Sequence, residues 1–287
     1  IFNNLMKIVV LGGSGFLGLH IAGALSKKGH KVIIFDKKKP RLIKKNQKII
    51  IGNIFNFDLL EKAIKGSQIV YNFAGLSDLD DAKQKPMETV KSNIMGTLNI
   101  LFLCTKYKIE RFLQASSIYA NTEEGGFYGR SKKAAEDYIE EYYNTYGLKY
   151  TILRFGSVYG ENADKNNGIL KIIKGAIKNK KLIYGGTKKA ERKYIHVKDV
   201  AKACVLILKK KYTNQYLTIT GTKTVKSYNL MNFFSDYFQI PQKKIKYLKN
   251  KGHYDNKPTP FKPRKGKNFY LKNAENFKAS LIKLANE

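Results

Sequence analysis

The sequence predicts an α/β fold in which a doubly wound parallel sheet carries a smaller, discontinuous C-terminal lobe. Short apolar runs alternate with segments of helical period through most of the chain before residue 220, as they do in successive βαβ units. A glycine-rich turn follows the first apolar run and opens the first helical segment. With 287 residues, 43% of them apolar, the chain is long enough to bury one sizeable core and to form an appended lobe.

The apolar runs predict the strands, and the periodic segments predict the helices. The strands are expected at 7–11, 31–36, 48–51, 69–74, 111–117, 150–155 and 216–220. The helices are expected at 16–28, 57–65, 85–106, 128–146, 168–179, 198–210, 228–238 and 273–285. Ser227 directly precedes 228–238 and is expected to cap that helix. From 240 to 272 the pattern gives way to Pro, Lys, Asn and Gly.

The composition bears on location and on the types of site to expect. No run approaches the roughly 18 apolar residues of a membrane span, so no membrane contact is expected. No signal peptide precedes the first strand, so a cytoplasmic location is expected, and residues 1–5 are interpreted as an upstream extension. Cys104 and Cys204 lie in apolar helical segments and are expected to be core residues. The four histidines are scattered, and no metal site is predicted.

The net charge of +32 has three interpretations. The lysines are spread along the whole chain together with many Asn, Ile and Tyr residues, which favours a codon-level bias toward A and T. Attraction of a nucleotide ligand and binding of nucleic acid are the alternatives. Because Tyr and Phe occur at core-like spacing and form no RNA-binding module, nucleic acid is not the expected partner.

A pyrophosphate-binding turn is predicted at residues 12–18. Gly12, Gly15 and Gly18 permit a tight turn and a close approach of backbone amides to an anion at the helix N-terminus. Phe16 and Leu17 lie in the same first helical turn and are counted with the cofactor-binding residues. A strand precedes this turn and a helix follows it, which is the context that a dinucleotide site requires.

Asp36 ends the second predicted strand, 18 positions after Gly18. A carboxylate at this point accepts hydrogen bonds from the adenosine ribose and repels a 2′-phosphate, so NAD is favoured over NADP. The lysines at 37–39 would tolerate a phosphate and leave NADP as an alternative.

Two later strand ends are also expected to face the cofactor. Asn53 and Ile54 follow the third strand, where a side chain would meet the adenine ring. Phe73, Ala74 and Gly75 end the fourth strand, where small residues would let the chain pass close to the cofactor.

The pair Tyr128 and Lys132 is the sharpest chemical signal. At positions i and i+4 of a helix, the two side chains project from the same face. An ammonium beside a phenol is expected to lower the phenol's pKa toward working pH, as a general base requires. Tyr128 follows a strand that ends in Ser116 and Ser117, and a serine there would bond the same substrate oxygen. The same Tyr–Lys spacing recurs elsewhere, so this context carries the prediction.

These motifs together resemble the extended short-chain dehydrogenase/reductase family, the NAD-dependent epimerase/dehydratases, whose sheet is of the Rossmann type. The resemblance covers roughly residues 6–210. Its segments occur in the family's order and are 12–18, Asp36, 72–75, 92–99, 115–117, the Tyr128/Lys132 pair, 154–160 and 192–200.

The resemblance implies roles for individual residues. Ser117, Tyr128 and Lys132 would be the catalytic set, with Asn93 in support; Ser117 is preferred to Ser116 because an ungapped match places it at the catalytic hydroxyl. Tyr128, Lys132 and Asn93 would also contact NAD.

The substrate implied by the resemblance is a nucleotide-diphosphate sugar. Arg192 matches the arginine that clamps the diphosphate, a bidentate task that suits guanidinium. Ser157 stands where many relatives have Asn, and the segment between Ser117 and Tyr128 is short, so both features bear on which sugar binds. His196 is expected to be a buried packing residue.

The predicted domain division follows from this resemblance and from the element pattern. Residues 1–160 form the NAD-binding Rossmann-type domain, which also receives about 166–181 and 198–221. Residues 182–197 and 222–287 form the substrate-binding lobe. A homodimer is expected by family analogy, through the helices at 85–106 and 128–146.

Epimerisation is the preferred reaction, with transient oxidation of a sugar hydroxyl, usually at C4. A 4,6-dehydratase typically needs an Asp–Glu pair just after the catalytic hydroxyl, whereas Ile118 and Tyr119 follow Ser117. Glu123 and Glu124 lie nearby but outside that motif. A reductase or dehydrogenase, a decarboxylase of uronic acids, and a non-catalytic RNA-binding relative are the alternatives.

Overall fold

The computed structural model describes residues 5–248 and 266–287. Contacts divide them into two compact units. The first unit contains 5–155, 200–218 and 266–269, and the second contains 156–199, 219–248 and 270–287. Residues 1–4, most of the expected upstream extension, and 249–265, within the weakly patterned segment, lie outside the described residues.

The helices and strands are named here in chain order. The strands are β1 (Lys7–Leu11), β2 (Lys31–Asp36), β3 (Gln47–Ile51), β4 (Ile69–Asn72), β5 (Arg111–Ser117), β6 (Tyr150–Phe155), β7 (Ser157–Tyr159), β8 (Leu182–Tyr184), β9 (Glu191–Arg192), β10 (Tyr194–His196), β11 (Gln215–Ile219), β12 (Val225–Lys226), β13 (Ile245–Tyr247) and β14 (Lys267–Phe269). The helices are α1 (Phe16–Lys27), α2 (Phe57–Ile64), α3 (Leu79–Gln84), α4 (Pro86–Val90), α5 (Gly96–Lys106), α6 (Gly126–Tyr146), α7 (Gly168–Asn179), α8 (Val197–Leu206), α9 (Ser227–Phe238) and α10 (Phe277–Ala285).

The main sheet in the described part of the chain has eight strands in the order β14-β11-β6-β5-β4-β1-β2-β3. The pairs from β3 through β2, β1, β4 and β5 to β6 are parallel. The chain moves outward from β1 to β3 and then returns to place β4 on the other side of β1. Ligands bind at such a reversal, beyond the carboxyl ends of the strands. The predicted doubly wound fold is confirmed, and the turns after β1 and β4 lie at one edge of the sheet.

The core of the first unit explains why its central strands are apolar at consecutive positions. Both faces of a parallel sheet are covered by helices, so the side chains on both faces of a central strand are buried. Val9 and Val70 are fully buried in β1 and β4, and they belong to one cluster with Leu60 of α2 and Leu101 of α5. Burial of each such side chain contributes about 1.5–3 kcal/mol to folding.

Three helix predictions need correction. The segment 85–106 is three elements, because Pro86 begins α4 and a π-helical turn at Lys91–Met95 separates α4 from α5. An additional helix, α3, precedes them. Ser227 does not cap α9: it is the first helical residue, and its hydroxyl donates to the Thr187 carbonyl at 2.8 Å.

The second unit has its own apolar cluster. Ile172 and Ala176 of α7 pack there with Phe234 of α9 and Leu281 of α10. This placement differs from the sequence prediction, which assigned 166–181 to the first domain, because the apolar face of α7 is buried in the second unit. Conversely, β14 belongs to the sheet of the first unit, although 222–287 was assigned to the substrate lobe. Within the described ranges, no helix is long and apolar enough to cross a membrane.

Candidate dinucleotide and catalytic site

The glycine turn after β1 leaves no room for side chains. Gly12 has φ +72°, and a Cβ built on it would lie 2.6 Å from the Ala74 amide nitrogen. A Cβ on Gly18 would lie 2.2 Å from the Gly12 carbonyl oxygen. Gly15 is the N-cap of α1, and no side chain caps that helix. The amides of its first turn, which contains Phe16 and Leu17, therefore meet no capping side chain and suit an anion.

Asp36 orders the loop that faces this turn. Its Oδ2 accepts a hydrogen bond from the Ser14 amide at 2.9 Å, and its Oδ1 accepts one from the Lys38 amide at 3.1 Å. The Ser14 hydroxyl donates to the Lys38 carbonyl at 2.7 Å. The sequence interpretation missed this role of Ser14. Because carboxylate oxygens accept more than one bond each, Asp36 keeps capacity for ribose hydroxyls.

The end of β3 contributes one polar and one apolar residue. Asn53 Oδ1 accepts from the Phe55 amide at 3.2 Å, which shapes the turn. Ile54 is buried, and its Cδ1 lies so close to Gly96 that a Cβ there would approach within 2.3 Å. Ile54 therefore packs against the start of α5.

The end of β4 lies close to β1 and is fixed by buried amides. The Phe73 amide donates to the Leu11 carbonyl at 2.8 Å. Asn72 Oδ1 accepts from the Ala74 amide at 3.0 Å, and its Nδ2 donates to Gln114 Oε1 at 2.9 Å. These bonds hold the turn after β4 beside the glycine turn.

Asn93, in the π-helical turn, joins the turn after β4 to α6. Its Oδ1 accepts from the Leu76 amide at 2.7 Å, while its Nδ2 donates to the Leu76 carbonyl and to Ser131 Oγ. Gly75 has φ +139°, and a Cβ there would lie 2.4 Å from Asn93 Oδ1. Ser131 Oγ in turn donates to the Tyr128 carbonyl at 2.8 Å. Asn93 therefore positions α6, and π turns are frequent at functional sites.

Tyr128 and Lys132 are both buried on α6. Lys132 Nζ donates to the Ala115 carbonyl at 3.1 Å and lies 5.7 Å from the centroid of the Tyr128 ring. The structure thus brings together the two residues that the spacing pairs, beside the end of β5.

Ser117 and Ser116 point in opposite directions, as neighbours in a strand do. Ser117 accepts a hydrogen bond from the Tyr119 amide at 3.2 Å, and it acts to lower the pKa of the Tyr128 phenol. Ser116 instead donates to Glu136 Oε1 at 2.6 Å. Of the two serines, Ser117 acts on the Tyr128 phenol and Ser116 on the Glu136 carboxylate.

The predicted lowering of the Tyr128 pKa is wrong for the protein in this structure. Burial raises the pKa of Tyr128 to about 12; the interaction with Ser117 opposes this rise, and Tyr119 and Asp78 add to it. Burial also lowers the pKa of Lys132 to about 8, against the attraction of Glu136. Desolvation is therefore the largest influence on the pKa of both groups.

The other predicted residues belong to the second unit. Ser157 is half-buried in β7, which pairs with β10. Arg192 is buried in β9, and its register partner in β12 is Val225. His196 is buried with its ring edge-on to Tyr159 at 5.2 Å, and burial lowers the pKa of its imidazole. This environment matches the packing role expected for His196.

The described residues contain no group of three or more His, Cys, Asp or Glu side chains that could hold a metal ion. Cys104 and Cys204 are buried free thiols in the core, and burial raises the pKa of each.

The residues present fit a dinucleotide. Gly12, Gly18 and Gly75 have no room for a Cβ, so the turns after β1 and β4 pack closely, and the uncapped start of α1 adjoins the Asp36 carboxylate through Ser14. Backbone amides for a pyrophosphate and a carboxylate for a ribose are the donor and acceptor set that NAD requires.

Comparisons with known proteins agree with this geometry. A family model described as the NAD-dependent epimerase/dehydratase family matches residues 8–219. A putative UDP-glucose 4-epimerase of Methanocaldococcus jannaschii is 32% identical over 239 residues, which cover 76% of this chain and 78% of that protein. The dTDP-D-glucose 4,6-dehydratase of Dictyostelium discoideum is 29% identical over 243 residues, covering 72% of this chain and 56% of that longer protein.

The fold is also that of solved enzymes of this type. The structure of a UDP-N-acetylglucosamine 4-epimerase from Methanobrevibacter ruminantium, in complex with UDP-N-acetylmuramic acid, matches with a TM-score of 0.86 and 23% identity, over 99% of this chain and 98% of that one. The chain therefore belongs to the NAD-dependent epimerase/dehydratase family, of the extended short-chain dehydrogenase/reductase type, and its cofactor is NAD.

Proposed function

We propose that this protein is an NAD-dependent epimerase that inverts the C4 hydroxyl of a nucleotide sugar. One observation carries the proposal: Ser117, Tyr128 and Lys132 meet at the end of β5, while the turn directly after Ser117 provides no acid–base pair. Ser117, Tyr128 and Lys132 provide the proton transfer that oxidation and reduction of a hydroxyl require. Elimination of water would also need an acid and a base, and the turn after Ser117 does not provide them.

NAD is held along the carboxyl edge of the sheet in this proposal. The pyrophosphate contacts the turn formed by Gly12, Gly15, Phe16, Leu17 and Gly18. The ribose contacts Asp36, and the adenine contacts Asn53 and Ile54. The nicotinamide portion contacts Phe73, Ala74, Gly75, Asn93, Tyr128 and Lys132. When bound, NAD supplies a reversible acceptor for the hydride of the sugar carbon, and its positive charge favours the phenolate of Tyr128.

Each catalytic side chain has a defined task. Tyr128 removes the proton of the sugar hydroxyl, and Ser117 donates a hydrogen bond to the same oxygen. The ammonium of Lys132 stabilises the phenolate that accepts this proton, and Tyr128 then carries the proton while the sugar is a ketone. After the ketone turns its other face toward the cofactor, Tyr128 returns the proton to the reduced oxygen. The configuration at that carbon is then inverted.

The acidic residues near the site do not favour dehydration. Ile118 and Tyr119 occupy the two positions after Ser117, in a 3-10 turn. Glu123 and Glu124 are exposed in the next short turn, outside the positions in which a dehydratase typically places its acid and base. The similarity to a 4,6-dehydratase keeps that reaction as a result to test for.

The substrate is proposed to be a UDP-sugar, because the similar epimerases from the two methanogens are named for UDP-glucose and UDP-N-acetylglucosamine. Arg192 is proposed to pair with the diphosphate, where guanidinium binds two oxygens at once. Ser157 is proposed to make a further polar contact with it. A reductase or dehydrogenase and a decarboxylase use the same catalytic set and remain the second candidates.

A homodimer through α5 and α6 is the proposed assembly. Phe127, Tyr138 and Tyr146 lie along one face of α6 and are largely exposed, as is Phe102 on α5. Exposed aromatic residues in such a stripe are typical of an interface. The +32 charge is proposed to reflect a codon-level bias, with attraction of the anionic substrate as the second interpretation and RNA binding as the third.

The test is a panel of UDP-, GDP-, CDP- and dTDP-sugars incubated with the protein and NAD in deuterated water. Conversion of UDP-glucose or UDP-N-acetylglucosamine to the C4 epimer, seen by NMR with unchanged mass, supports the proposal. Loss of water with uptake of deuterium indicates a dehydratase, loss of carbon dioxide indicates a decarboxylase, and accumulation of NADH indicates a dehydrogenase. Absorbance at 260 nm that nuclease and high salt remove would favour an RNA-binding relative.

A further inference from the structure

A buried ion pair lies one helical turn beyond Lys132. Glu136 is fully buried on α6, and Arg154 of β6 is 4% exposed. Arg154 Nε donates to Glu136 Oε1 at 2.9 Å, and Arg154 Nη2 donates to Oε2 at 2.6 Å. A buried bidentate ion pair is costly to desolvate, and loss of one partner leaves an uncompensated buried charge.

The pair is joined to the segment that carries Ser117. Ser116 Oγ donates to Glu136 Oε1, while the adjacent residue Ala115 accepts from Lys132 Nζ. Consecutive residues of β5 thus bind consecutive turns of α6. Asn121 lies in the turn after Ser117. When its side-chain oxygen faces the guanidinium, that oxygen accepts a hydrogen bond from Arg154 Nη1 at 2.7 Å. The ring of Tyr216 in β11 lies 4.5 Å from the Arg154 guanidinium carbon and covers it.

The charges around Lys132 are unevenly distributed. On α6 it faces Tyr128 toward the helix start and Glu136 toward the helix end, at spacings of four residues. The contact from β5 is a neutral carbonyl, and Gly75 approaches from the turn after β4. Arg154 of β6 binds Glu136. Asp78, in the turn before α3, and Tyr119 raise the pKa of Tyr128. Among the charged groups just named, Glu136 is the anion that acts on Lys132.

We propose that Glu136 is a positioning residue that keeps the buried Lys132 amine charged, with Arg154 and Ser116 fixing its carboxylate in place. Burial alone favours the neutral amine, and a neutral amine would not stabilise the phenolate of Tyr128. The carboxylate of Glu136 opposes this effect, and the pKa of Lys132 stays at about 8. The role of the charged amine in turnover rests on the proposed function, whereas the charge itself does not.

The direct test is titration of the Lys132 amine by NMR in protein labelled with ¹³C at the lysine ε-carbon. Lys132→Met identifies the resonance by its loss. In Glu136→Gln the midpoint of this resonance is expected to fall by roughly one pH unit. Glu140→Gln is the matched control: it makes the same change one turn further along α6, and the midpoint is expected to stay at the wild-type value. An unchanged midpoint in Glu136→Gln would overturn the proposal.

A folding defect is separated by a second variant. Glu136→Gln leaves Arg154 buried without its carboxylate, and such a charge is strongly destabilising. Combining Glu136→Gln with Arg154→Met removes both charges, and the Lys132 midpoint is still expected below the wild-type value. A midpoint restored to the wild-type value in this folded double variant would refute a role for the Glu136 carboxylate.

Turnover provides a readout that a purely structural role would not produce. Suppose that the active form has Tyr128 as a phenolate and Lys132 charged. Its abundance relative to the form in which both residues are protonated depends on the pKa of Tyr128 and does not depend on the pKa of Lys132, because Lys132 is charged in both forms. At about pH 6, Glu136→Gln and wild type are therefore expected to have similar rates, whereas at about pH 9 the variant is roughly tenfold slower. A loss that is equal at every pH would contradict this role. A shifted NMR midpoint without any turnover would instead sink the proposed function and leave this inference intact.

Discussion

The side-chain amide of Asn93 donates a hydrogen bond to the hydroxyl of Ser131 at 2.9 Å, across 38 positions of sequence. This bond joins the π turn to the helix that carries Tyr128 and Lys132. Because the same amide also holds both backbone groups of Leu76, the turn after β4 and the helix of Tyr128 and Lys132 share one anchor.

Tyr128→Phe removes the proposed base and keeps the ring. Turnover is expected to fall by roughly 10³-fold or more, because no other group is placed to take the hydroxyl proton. NAD binding, measured by calorimetry, is expected to change less than about threefold, since one hydroxyl is lost among many contacts. Retention of most of the activity would show that a different residue is the base.

Asp36→Ala tests the coenzyme preference. The affinity for NAD is expected to fall by roughly tenfold or more, because the carboxylate bonds to ribose are lost. The affinity for NADP is expected to fall less or to rise, since the repulsion of its 2′-phosphate is removed. Ser14→Ala, which deletes the hydroxyl bond to the Lys38 carbonyl, is the control for disturbance of the loop alone. A larger loss for NADP than for NAD in Asp36→Ala would reverse the assigned preference.

Gly18→Ala tests the closeness of α1 to its preceding turn. An added Cβ would lie 2.2 Å from the Gly12 carbonyl, so the free energy of unfolding is expected to drop by about 1–3 kcal/mol, with weaker NAD binding. Gly23→Ala in the same helix meets only Lys44 Cε at 3.5 Å and is expected to raise stability by about 0.5–1 kcal/mol. Urea unfolding measures both, and equal effects of the two changes would contradict the prediction.

Lys132 is expected to make stability depend on pH in a definite direction. Its folded pKa of about 8 lies below the ordinary value of a lysine, so between about pH 8 and pH 10 the unfolded chain holds a proton that the folded protein has lost. The stability contributed by this group therefore rises with pH across that window, by up to roughly 3 kcal/mol. Lys132→Met is expected to remove this rise and to be more stable than wild type near pH 7. Urea titrations of both proteins at about pH 8 and pH 10 measure the free energy of unfolding. If this free energy changed with pH equally in wild type and Lys132→Met, a lowered pKa of Lys132 would be excluded.

Phe102→Glu tests the assembly. A charge on the exposed stripe is expected to convert the dimer to a monomer, which light scattering after size-exclusion chromatography measures. Ile177→Glu, an exposed apolar position on α7 in the second unit, is the matched control and is expected to remain dimeric. A wild-type monomer at micromolar concentration would refute the dimer itself.

The sequence predicted the sheet well because its signals are local. The apolar runs at 7–11 and 111–117, and the turn that starts at Gly12, depend on residues that are neighbours in the chain. The π turn around Asn93 was missed because helical period does not reveal an inserted residue, although Pro86 did signal a new helix start. The pKa of Tyr128 was misjudged because spacing shows which groups are near each other and does not show how much water they lose.

The Glu136–Arg154 pair was also beyond sequence reasoning. Its members lie 18 positions apart on a helix and a strand, and in a chain with 54 basic residues no single arginine stands out. Only the packing of α6 on β5 and β6 shows that this carboxylate is fully buried. Its partner Ser116 seemed equivalent to Ser117 until the strand showed which face each occupies.

The first unit is assembled from three separate stretches of the chain, and the last of them supplies β14 at the end of the sheet order. No single cut can therefore release either unit as one continuous polypeptide. Gene fission, domain shuffling or expression of an isolated cofactor-binding half would each leave a sheet without its terminal strand. A rearranged gene would keep the whole sheet only if it carried all three stretches of the first unit.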